Sequence, residues 1–482
     1  MALAEKAIKH GTWFALFRGV SQAISWVVTV VVARLLSPAD YALSAMATLI
    51  TGYAELLSEM GIGASIIQKK APTEAELSSI FWFSLGVGLL FALACIPIAF
   101  LTARIFDEPR VIPLIFSISI LFVLTGLQVV PLSLLKRDLN YKAIGIIEMQ
   151  TTIVSCLCML VIAYFGGGVW TLIGGRIIRG LVRLILVYRA TTWRPTVSFN
   201  LAETSSYLQF GVTVAVSSSA FYVFEVADRL FAGRAWSAEA LGFYLFAMQL
   251  AQVPNEKLVS TINQVTYPLF SRYQDDLDTF SEYYLVTIKL TAALVFPIYV
   301  MGYLLGHQLI PVLLGTKWTP MITLFKFLCL AQIFVTLNAV VGFVHMALGR
   351  PARGLYFNIA CAVFMSVSYY LAVNHVGPEK ESILLPWFTT YAAITIVWLG
   401  FTNLKLRIST SRYLKSLRAP FLGMLAIAAT VGGIDYWMAG YEIGELLALA
   451  TKIACSLLIY GAVLWLLEGA FLRSLLALKA KP

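Results

Sequence analysis

Charged residues are scarce in this sequence. Asp, Glu, Lys and Arg make up only 12% of its 482 residues, whereas soluble domains carry about 25%. Hydrophobic residues account for 60% of the chain. This shortage of charge excludes an ordinary soluble protein and places the chain in a bilayer.

Residues that build metal and nucleotide sites are also few. The four histidines are scattered, with no H-x-x-x-H pair, so no metal site is predicted. No G-x-x-x-x-G-K-[ST] motif occurs, which excludes an ATP site of this type. The glycine-rich segment GGGVWTLIGG at 166–175 lacks the lysine and predicts a tight turn with close helix packing. We expect no cofactor, apart from a coupling H⁺ or Na⁺.

Long apolar runs are what the sequence has instead. A spanning helix needs roughly 20 mostly apolar residues, and fourteen runs of about this length occur. Arg18 interrupts the first run and no A-x-A site follows, so this run is predicted to be a helix and not a cleaved signal. The fold class is therefore an all-α polytopic membrane protein with about 14 transmembrane helices. The predicted spans are 11–33, 41–66, 79–102, 111–134, 143–165, 168–189, 208–230, 240–266, 284–305, 322–347, 353–375, 382–403, 417–438 and 444–468.

The basic residues predict the orientation of these spans. With a cytoplasmic N-terminus, 24 Lys and Arg residues fall on inner segments and 7 on outer segments. Cytoplasmic loops normally carry this excess, so both termini are predicted to be cytoplasmic. The same bias explains the net charge of +10 without nucleic-acid binding.

One short corner occurs twice in the chain. ARLLSPADYALSAMA at 33–47 and GRAWSAEALGFYLFA at 233–247 share Arg34 with Arg234 and Ser37 with Ser237. Six predicted spans separate the corners, and an even number of crossings gives a parallel repeat. We predict an N-lobe (1–198), a C-lobe (199–404) and two C-terminal helices (405–482), with transport by rocking of the lobes.

Several segments resemble the polysaccharide-exporter branch of the multidrug/oligosaccharidyl-lipid/polysaccharide superfamily, of the Wzx type found in colanic-acid, succinoglycan and xanthan export. The likeness covers about residues 10–360, and Ala42 departs from the family's usual Gly. The resemblance implies a flippase that moves an undecaprenyl-diphosphate-linked oligosaccharide across the bacterial inner membrane. It also implies membrane lipids, a polysaccharide polymerase and export machinery as partners. The segments are ARLLSPADYALSAMA, GIGASIIQKKAPTEAELSSIFW, LLKRDLNYKAI, GVWTLIGGRI, WRPTVSF, DRLFAGRAWSAEALGFYLFAMQLAQVP, INQVTYPLFSRYQ, LLGTKW and ALGRP.

Such a cargo would need cations, because an unpaired diphosphate is very costly in hydrocarbon. Arg18 lies in the middle of the first span, and Lys257, Lys289 and Lys326 lie within later spans. Each is a candidate for contact with the diphosphate, and each could instead form an ion pair or snorkel.

Three arginines form one predicted helix face. Arg176, Arg179 and Arg183 recur at i, i+3 and i+7, at the inner end of the sixth span. They could meet a diphosphate arriving from the cytoplasmic leaflet. Anchoring under the positive-inside rule is the alternative and the simpler explanation, and Arg176, the deepest of the three, is the best candidate for cargo contact.

Acidic residues are candidates for coupling to a cation. Glu55 and Glu59 lie at i, i+4 in an apolar run, a spacing that favours a shared proton or Na⁺. Pairing with a residue such as Arg18 is the alternative. Further candidates form a cluster in which Glu225 and Arg229 suit an i, i+4 ion pair. The cluster could act in coupling and cargo binding or neutralise itself. The cluster consists of Glu225, Asp228 and Arg229, and Glu256 in the next predicted span is a separate coupling candidate.

Amides and aromatics supply candidates for sugar binding. Gln249, Gln252 and Asn255 are three residues apart and share roughly one helix face. Interhelical hydrogen bonding is the alternative for these amides. Other candidates are Tyr222, Asn263, Gln264 and Tyr267.

Three other classes of protein remain open. A cation-coupled drug exporter and a peptidoglycan-precursor flippase belong to the same superfamily and share the two-lobe layout. An enzyme would need a sizeable outer loop, but the longest polar segments, 189–207, 268–283 and 404–416, are predicted to be cytoplasmic. We therefore expect a transporter and no enzymatic activity.

Overall fold

The computed structural model describes residues 2–59, 66, 72–138, 140–200, 219, 222–377, 381–438 and 444–479. Within these ranges the chain is helical and contains no β-strand. Nine of the described helices are long and apolar enough to cross a membrane, and one bent helix pair raises the number to 10. The predicted all-α polytopic membrane protein is confirmed, whereas the count of fourteen spans stays a prediction.

The first compact unit covers Met1–Gly242. The helices that pack most extensively in this unit are α1 with α6, α6 with α7, and α3 with α5. The helices are α1 (Ala2–Leu35), α2 (Pro38–Glu59), α3 (Glu74–Phe106), α4 (Val111–Ile118), α5 (Ile120–Arg137), α6 (Tyr141–Tyr164), α7 (Trp170–Ala190) and α8 (222–235).

The second compact unit covers Phe243–Pro482. Its long central helix, α11, packs against α12, α15 and α16. The helices are α9 (Ala238–Pro254), whose first five residues belong to the first unit, α10 (Ser260–Arg272), α11 (Leu277–Leu314), α12 (Ile322–Ala347), α13 (Pro351–Leu371), α14 (Ala392–Lys405), α15 (Thr410–Met438) and α16 (Glu445–Lys479). The lobe boundaries at 198 and 404 stay predictions.

Some predicted spans are interrupted or charged in the structure. The span 240–266 is divided by a π-helical turn, Asn255–Val259, which follows Pro254. Proline has no N–H to continue the α-helical ladder, and π turns occur mostly as single turns inserted into α-helices. Helix α7 carries Arg176, Arg179, Arg183 and Arg189, which makes it less apolar than its neighbours. These features explain why the predicted spans 168–189 and 240–266 are not among the helices that qualify.

The glycine-rich segment forms the tight turn that its sequence predicted. Gly166 and Gly168 have φ angles of +75° and +51°, which side chains rarely adopt. Further along, a Cβ on Gly175 would lie 2.5 Å from the side chain of Met159 in α6. The glycines therefore permit both the turn and the close packing of α6 against α7.

The repeated corner has the same local structure at both places. The first helix ends at residue 35 or 235, and the next begins at Pro38 or Ala238. Ser37 Oγ accepts the N–H of Asp40, and Ser237 Oγ accepts the N–H of Ala240, both at 3.3 Å. Each serine thus caps the N-terminus of the following helix.

The two corners also touch each other within the first unit. A Cβ on Gly242 would lie only 1.9 Å from the carbonyl oxygen of Pro38. Glycine is therefore required at 242 by this contact, whereas its counterpart Ala42 is fully buried with its methyl group accommodated. The departure at Ala42 has a simple steric explanation.

The two C-terminal helices pack on α11 through a buried core. Ile427 and Val431 of α15 and Tyr460 of α16 share this core with Val300 and Leu305 of α11. The Tyr460 hydroxyl also donates to the carbonyl oxygen of Ala293 at 2.8 Å. The C-terminal helices are thus an integral part of the second unit.

Candidate substrate-binding residues

The arginine face of α7 lies beside a single glutamate of α6. Arg179 Nη2 is 3.3 Å from Glu148 Oε2, and Arg183 Nη2 is 3.0 Å from Glu148 Oε1. Arg176, one turn earlier, is exposed. Because one carboxylate serves two guanidinium groups, the Arg179–Arg183–Glu148 cluster keeps a net positive charge. The structure therefore joins two of the predicted residues and adds Glu148, which the sequence did not single out.

The acidic and basic residues of α8 interact with one another. Arg229 Nη2 is 3.6 Å from Glu225 Oε1, and the backbone N–H of Arg229 donates to Asp228 Oδ1 at 2.7 Å. The Asp228 side chain is buried. Tyr222 of the same helix donates its hydroxyl to the carbonyl oxygen of Leu49 in α2. The Glu225–Arg229 ion pair matches the self-neutralising alternative, while a role of Asp228 and Arg229 in cargo binding stays a prediction.

Asn255 is held by α12. Its Nδ2 donates to Gln332 Oε1 at 2.8 Å, and the Thr336 hydroxyl donates to Asn255 Oδ1 at 2.6 Å. Both ends of the amide are therefore occupied by interhelical hydrogen bonds, the alternative to sugar binding. These bonds brace the π-helical turn that begins at Asn255.

The other amide and aromatic candidates have diverse surroundings. Gln249 is exposed and Gln252 is half-buried. Asn263 is buried and donates to the carbonyl oxygen of Ala339 at 3.4 Å. Tyr267 packs edge-on against Phe343. The side chain of Gln264 lies outside the described part of the structure.

The three lysines predicted to lie within spans each have a neighbour that stabilises the ammonium group. Lys257 Nζ is 3.7 Å from Glu256 Oε2, and Lys289 Nζ is 2.9 Å from Glu468 Oε2. Lys326 Nζ lies 5.0 Å from the centre of the Tyr303 ring, a cation–π distance. Ion pairing, the alternative raised for these residues, is thus seen for Lys257 and Lys289.

A further lysine within an apolar run was missed by the sequence reasoning. Lys452 of α16 is 2% exposed. It donates to Gln308 Oε1 of α11 at 3.1 Å and forms an ion pair with Asp435 of α15. One signal was available, because Asp435 and Lys452 each interrupt an apolar run of the C-terminal segment.

Three predicted residues of the first unit, one for cargo contact and two for coupling, lie in described helices but not among the described side chains. Arg18 belongs to α1, and Glu55 and Glu59 belong to α2. The side chains of all three lie outside the described part of the structure. Their predicted roles therefore stay predictions.

The connection between α3 and α4 carries an ion pair. Arg110 Nε and Nη2 donate to the two carboxylate oxygens of Glu108, at 2.7 and 2.6 Å. These charge-assisted hydrogen bonds lower the pKa of the Glu108 carboxyl and raise the pKa of Arg110. Asp40 at the first corner also acts electrostatically on Arg110.

Comparison with known proteins supplies the family. A family model described as a polysaccharide biosynthesis protein matches residues 31–323. The chain belongs to this family. The resemblance drawn from the sequence segments is thereby confirmed.

Two curated relatives extend the match. This polysaccharide biosynthesis protein is 27% identical over 361 residues to the lipopolysaccharide biosynthesis protein WzxC of Escherichia coli (strain K12), covering 74% of this chain and 73% of that protein. It is 22% identical to the succinoglycan biosynthesis transport protein ExoT of Rhizobium meliloti (strain 1021), covering 98% of this chain and 95% of ExoT. A transporter of polysaccharide biosynthesis, and not an enzyme, agrees with both the family and these relatives.

A solved structure shows the same fold over nearly the whole chain. The lipid II flippase MurJ in an inward closed conformation superposes with a TM-score of 0.76 at 11% identity, covering 95% of this chain and 99% of MurJ. At this identity the likeness speaks for the fold alone. This family member is therefore a multi-pass membrane protein with a transporter fold.

Proposed function

We propose that this chain flips an undecaprenyl-diphosphate-linked oligosaccharide from the cytoplasmic to the periplasmic leaflet of the bacterial inner membrane. The product would be the repeat unit of an exopolysaccharide or lipopolysaccharide. The observation that carries the proposal is the cluster in which Arg179 and Arg183 share the single carboxylate of Glu148. Its net positive charge suits a diphosphate, and membership of a polysaccharide biosynthesis family supplies the cargo class.

The mechanism follows from the cost of moving the headgroup. A diphosphate without partners is strongly disfavoured in hydrocarbon, so a flippase must offer cations along its route. Arg179 is 53% exposed and Arg183 is 34% exposed, so a headgroup could reach both guanidinium groups. Arg176 and Arg18 would extend this cationic route. The two predicted lobes, 1–198 and 199–404, would rock to expose it to each side in turn.

The polyprenyl chain would lie beside the C-terminal helices. The second unit contains an apolar cavity of about 200 Å³ whose lining includes Pro254, Tyr299, Gly302 and Ile453. Ile453 belongs to α16, one of the two helices outside the predicted repeat. Deleting these helices would expose the core that they share with α11. A narrower test is Ile453→Trp, which should fill the cavity and reduce flipping, with Leu458→Trp at a position 74% exposed as its control.

Both termini would be cytoplasmic, as the distribution of basic residues predicts. Flipping would deliver the lipid-linked repeat to a polysaccharide polymerase and export machinery. Cation coupling through Glu55 and Glu59 would drive the cycle, since two carboxylates at i, i+4 favour a shared H⁺ or Na⁺.

The decisive experiment deletes the gene and extracts the lipid-linked oligosaccharide. Accumulation on the inner leaflet, reversed by the wild-type gene, is expected. Arg179→Gln with Arg183→Gln should fail to reverse it at normal protein abundance, whereas Glu148→Gln should still allow flipping because it removes no cation. Unaltered lipid intermediates together with altered drug tolerance would favour a drug exporter. Accumulation of peptidoglycan precursor would favour a peptidoglycan-precursor flippase.

Arg18 offers a second test of the mechanism. If the cargo diphosphate is its partner, Arg18→Ala should stop export at normal abundance, and Arg18→Lys should retain part of it because a point cation still attracts phosphate. If Glu55 or Glu59 is its permanent partner, Arg18→Ala should instead lower abundance, and Arg18→Gln with Glu59→Gln should restore it. Normal export by a well-expressed Arg18→Ala protein would contradict the cargo role.

A further inference from the structure

Two turns of the second unit bring cations to one aromatic ring. Arg353 Cζ lies 5.4 Å, and Lys405 Nζ 5.7 Å, from the centre of the Phe401 ring. Arg353 comes from the first turn of α13, and Phe401 and Lys405 come from the end of α14. Arg350, just before α13, acts electrostatically on Arg353. We name Arg350, Arg353, Phe401 and Lys405 the α13–α14 basic cluster.

The helices that carry this cluster are firmly joined. Gly349, with φ +66°, ends α12, and the Arg350 N–H donates to the carbonyl oxygen of His345 at 3.0 Å. His345 Nε2 lies 2.9 Å from Thr402 Oγ1 of α14. The cations are therefore positioned by the Gly349 turn of α12 and by its packing on α14, and not by their own attraction for an acid.

Acidic partners are missing from the cluster, whereas Arg110, Arg179 and Lys289 each pair with a glutamate. Among the residues that the structure describes, no carboxylate forms an ion pair with Arg350, Arg353 or Lys405. His345, fully buried beside Phe401, has no hydrogen-bond partner for Nδ1 in the same part of the chain. Like charges gathered at one ring repel each other, so the cluster would be stabilised by an anion.

We propose that the α13–α14 basic cluster binds the phosphate headgroup of an anionic bilayer phospholipid. Basic residues between helices on the cytoplasmic side commonly hold such headgroups. Phe401, 37% exposed, belongs to the aromatic residues favoured at the membrane–water interface. The bound lipid would be a component of the surrounding membrane and distinct from the transported lipid.

The test titrates phosphatidylglycerol into the detergent-solubilised full-length protein and counts bound lipids by native mass spectrometry. Wild-type protein should bind phosphatidylglycerol more tightly than phosphatidylcholine. Arg353→Gln with Lys405→Gln should weaken this binding about 25-fold. Each basic residue near an anionic surface contributes about 1 kcal/mol of binding free energy, and about 1.4 kcal/mol corresponds to a tenfold change in affinity. Arg353→Lys with Lys405→Arg should retain it.

The matched control removes two cations elsewhere on the predicted cytoplasmic side. Lys136→Gln with Arg189→Gln should leave phosphatidylglycerol binding unchanged, and inorganic phosphate should not displace the lipid. If the double glutamine variant fails to fold, Arg350→Gln at its exposed position gives the same test with a loss of about fivefold. Equal binding of phosphatidylcholine, equal loss in the control, displacement by inorganic phosphate or preferential displacement by a polyprenyl diphosphate would each overturn the proposal.

Discussion

The two corners, at 33–42 and 233–242, share a backbone but not a set of contacts. At both, a helix ends, a serine caps the next helix and a small residue follows. The first corner adds Asp40, whose Oδ2 accepts the N–H and the hydroxyl of Ser37 at 2.8 and 2.7 Å. The second has Ala240 at that place. A repeat can therefore preserve a backbone turn while the side-chain hydrogen bonds around it differ between the two copies.

The difference extends to the residues around each corner. Asp40 Oδ1 lies beside Gly168 of the glycine turn, and Asp40 acts electrostatically on Arg110. At the second corner the demand is steric, because Gly242 must approach the Pro38 backbone. The first corner is thus defined by polar contacts and the second by close packing, and each can be broken separately.

The largest expected effect is all-or-none labelling that tests the parallel repeat. Cysteines introduced singly at Ser37 and Ala238 should both react with an impermeant thiol reagent added from outside, because six predicted spans separate them. A cysteine at Thr73, which caps α3, should not react. Opposite labelling of positions 37 and 238 would contradict a parallel repeat.

The next largest expected effect is the loss of stability when Gly242 at the second corner gains a side chain. Gly242→Ala should destabilise the folded protein by about 1–3 kcal/mol, because its Cβ would overlap the Pro38 carbonyl oxygen. The thermal unfolding midpoint in detergent measures this effect. Gly432→Ala, where a Cβ meets nothing within 4 Å, is the matched control and should not lower the midpoint. Equal midpoints for the two variants would remove the steric distinction between the corners.

A smaller effect is expected from the cap at the first corner. Asp40→Ala removes the acceptor used by Ser37 and should cost about 1 kcal/mol. Ala240→Asp offers the same acceptor to Ser237 and should stabilise the second corner by about 0.5–1 kcal/mol. Both changes are measured as shifts in the unfolding midpoint. A stabilising Asp40→Ala would show that the charge at the first corner serves something other than capping.

The smallest effect concerns pH near the first corner. Hydrogen bonds from Arg110 hold the pKa of Glu108 below its ordinary value of 4.5, so the pair stabilises the fold above that pH and loses its contribution as the pH falls. Because Arg110 is 64% exposed, the contribution should be less than about 1 kcal/mol. Wild-type protein should lose stability more steeply than Glu108→Gln on acidification, whereas Glu239→Gln, within the second corner, should follow wild type. Parallel pH profiles for wild type and Glu108→Gln would contradict this assignment.

Much of the local structure could be predicted from the sequence. Apolar runs predicted helices, the triple glycine predicted a tight turn, and the shared serines predicted two equivalent corners. Each of these depends on residues close together in the chain. The π-helical turn after Pro254 was not predicted, and the bonds that brace it join Asn255 to Gln332 and Thr336 on another helix, which the local sequence does not indicate.

The candidate site was predicted less completely. The arginine face of α7 followed from i, i+3 and i+7 spacing, but its partner Glu148 lies on α6. Likewise, nothing near Lys289 in the chain indicated Glu468, 179 residues away. Spacing identifies residues that share a face of one helix, and it does not say which helix that face meets.

The sequence by itself determined the membrane class, the helical elements and the repeated corner, because hydropathy, spacing and capping act over short stretches of chain. Only the tertiary structure decided which charges are neutralised within the protein and why Gly242 cannot carry a side chain. Those outcomes depend on distances between helices that are remote in sequence. Electrostatic and steric forces act across such distances whatever the order of residues along the chain.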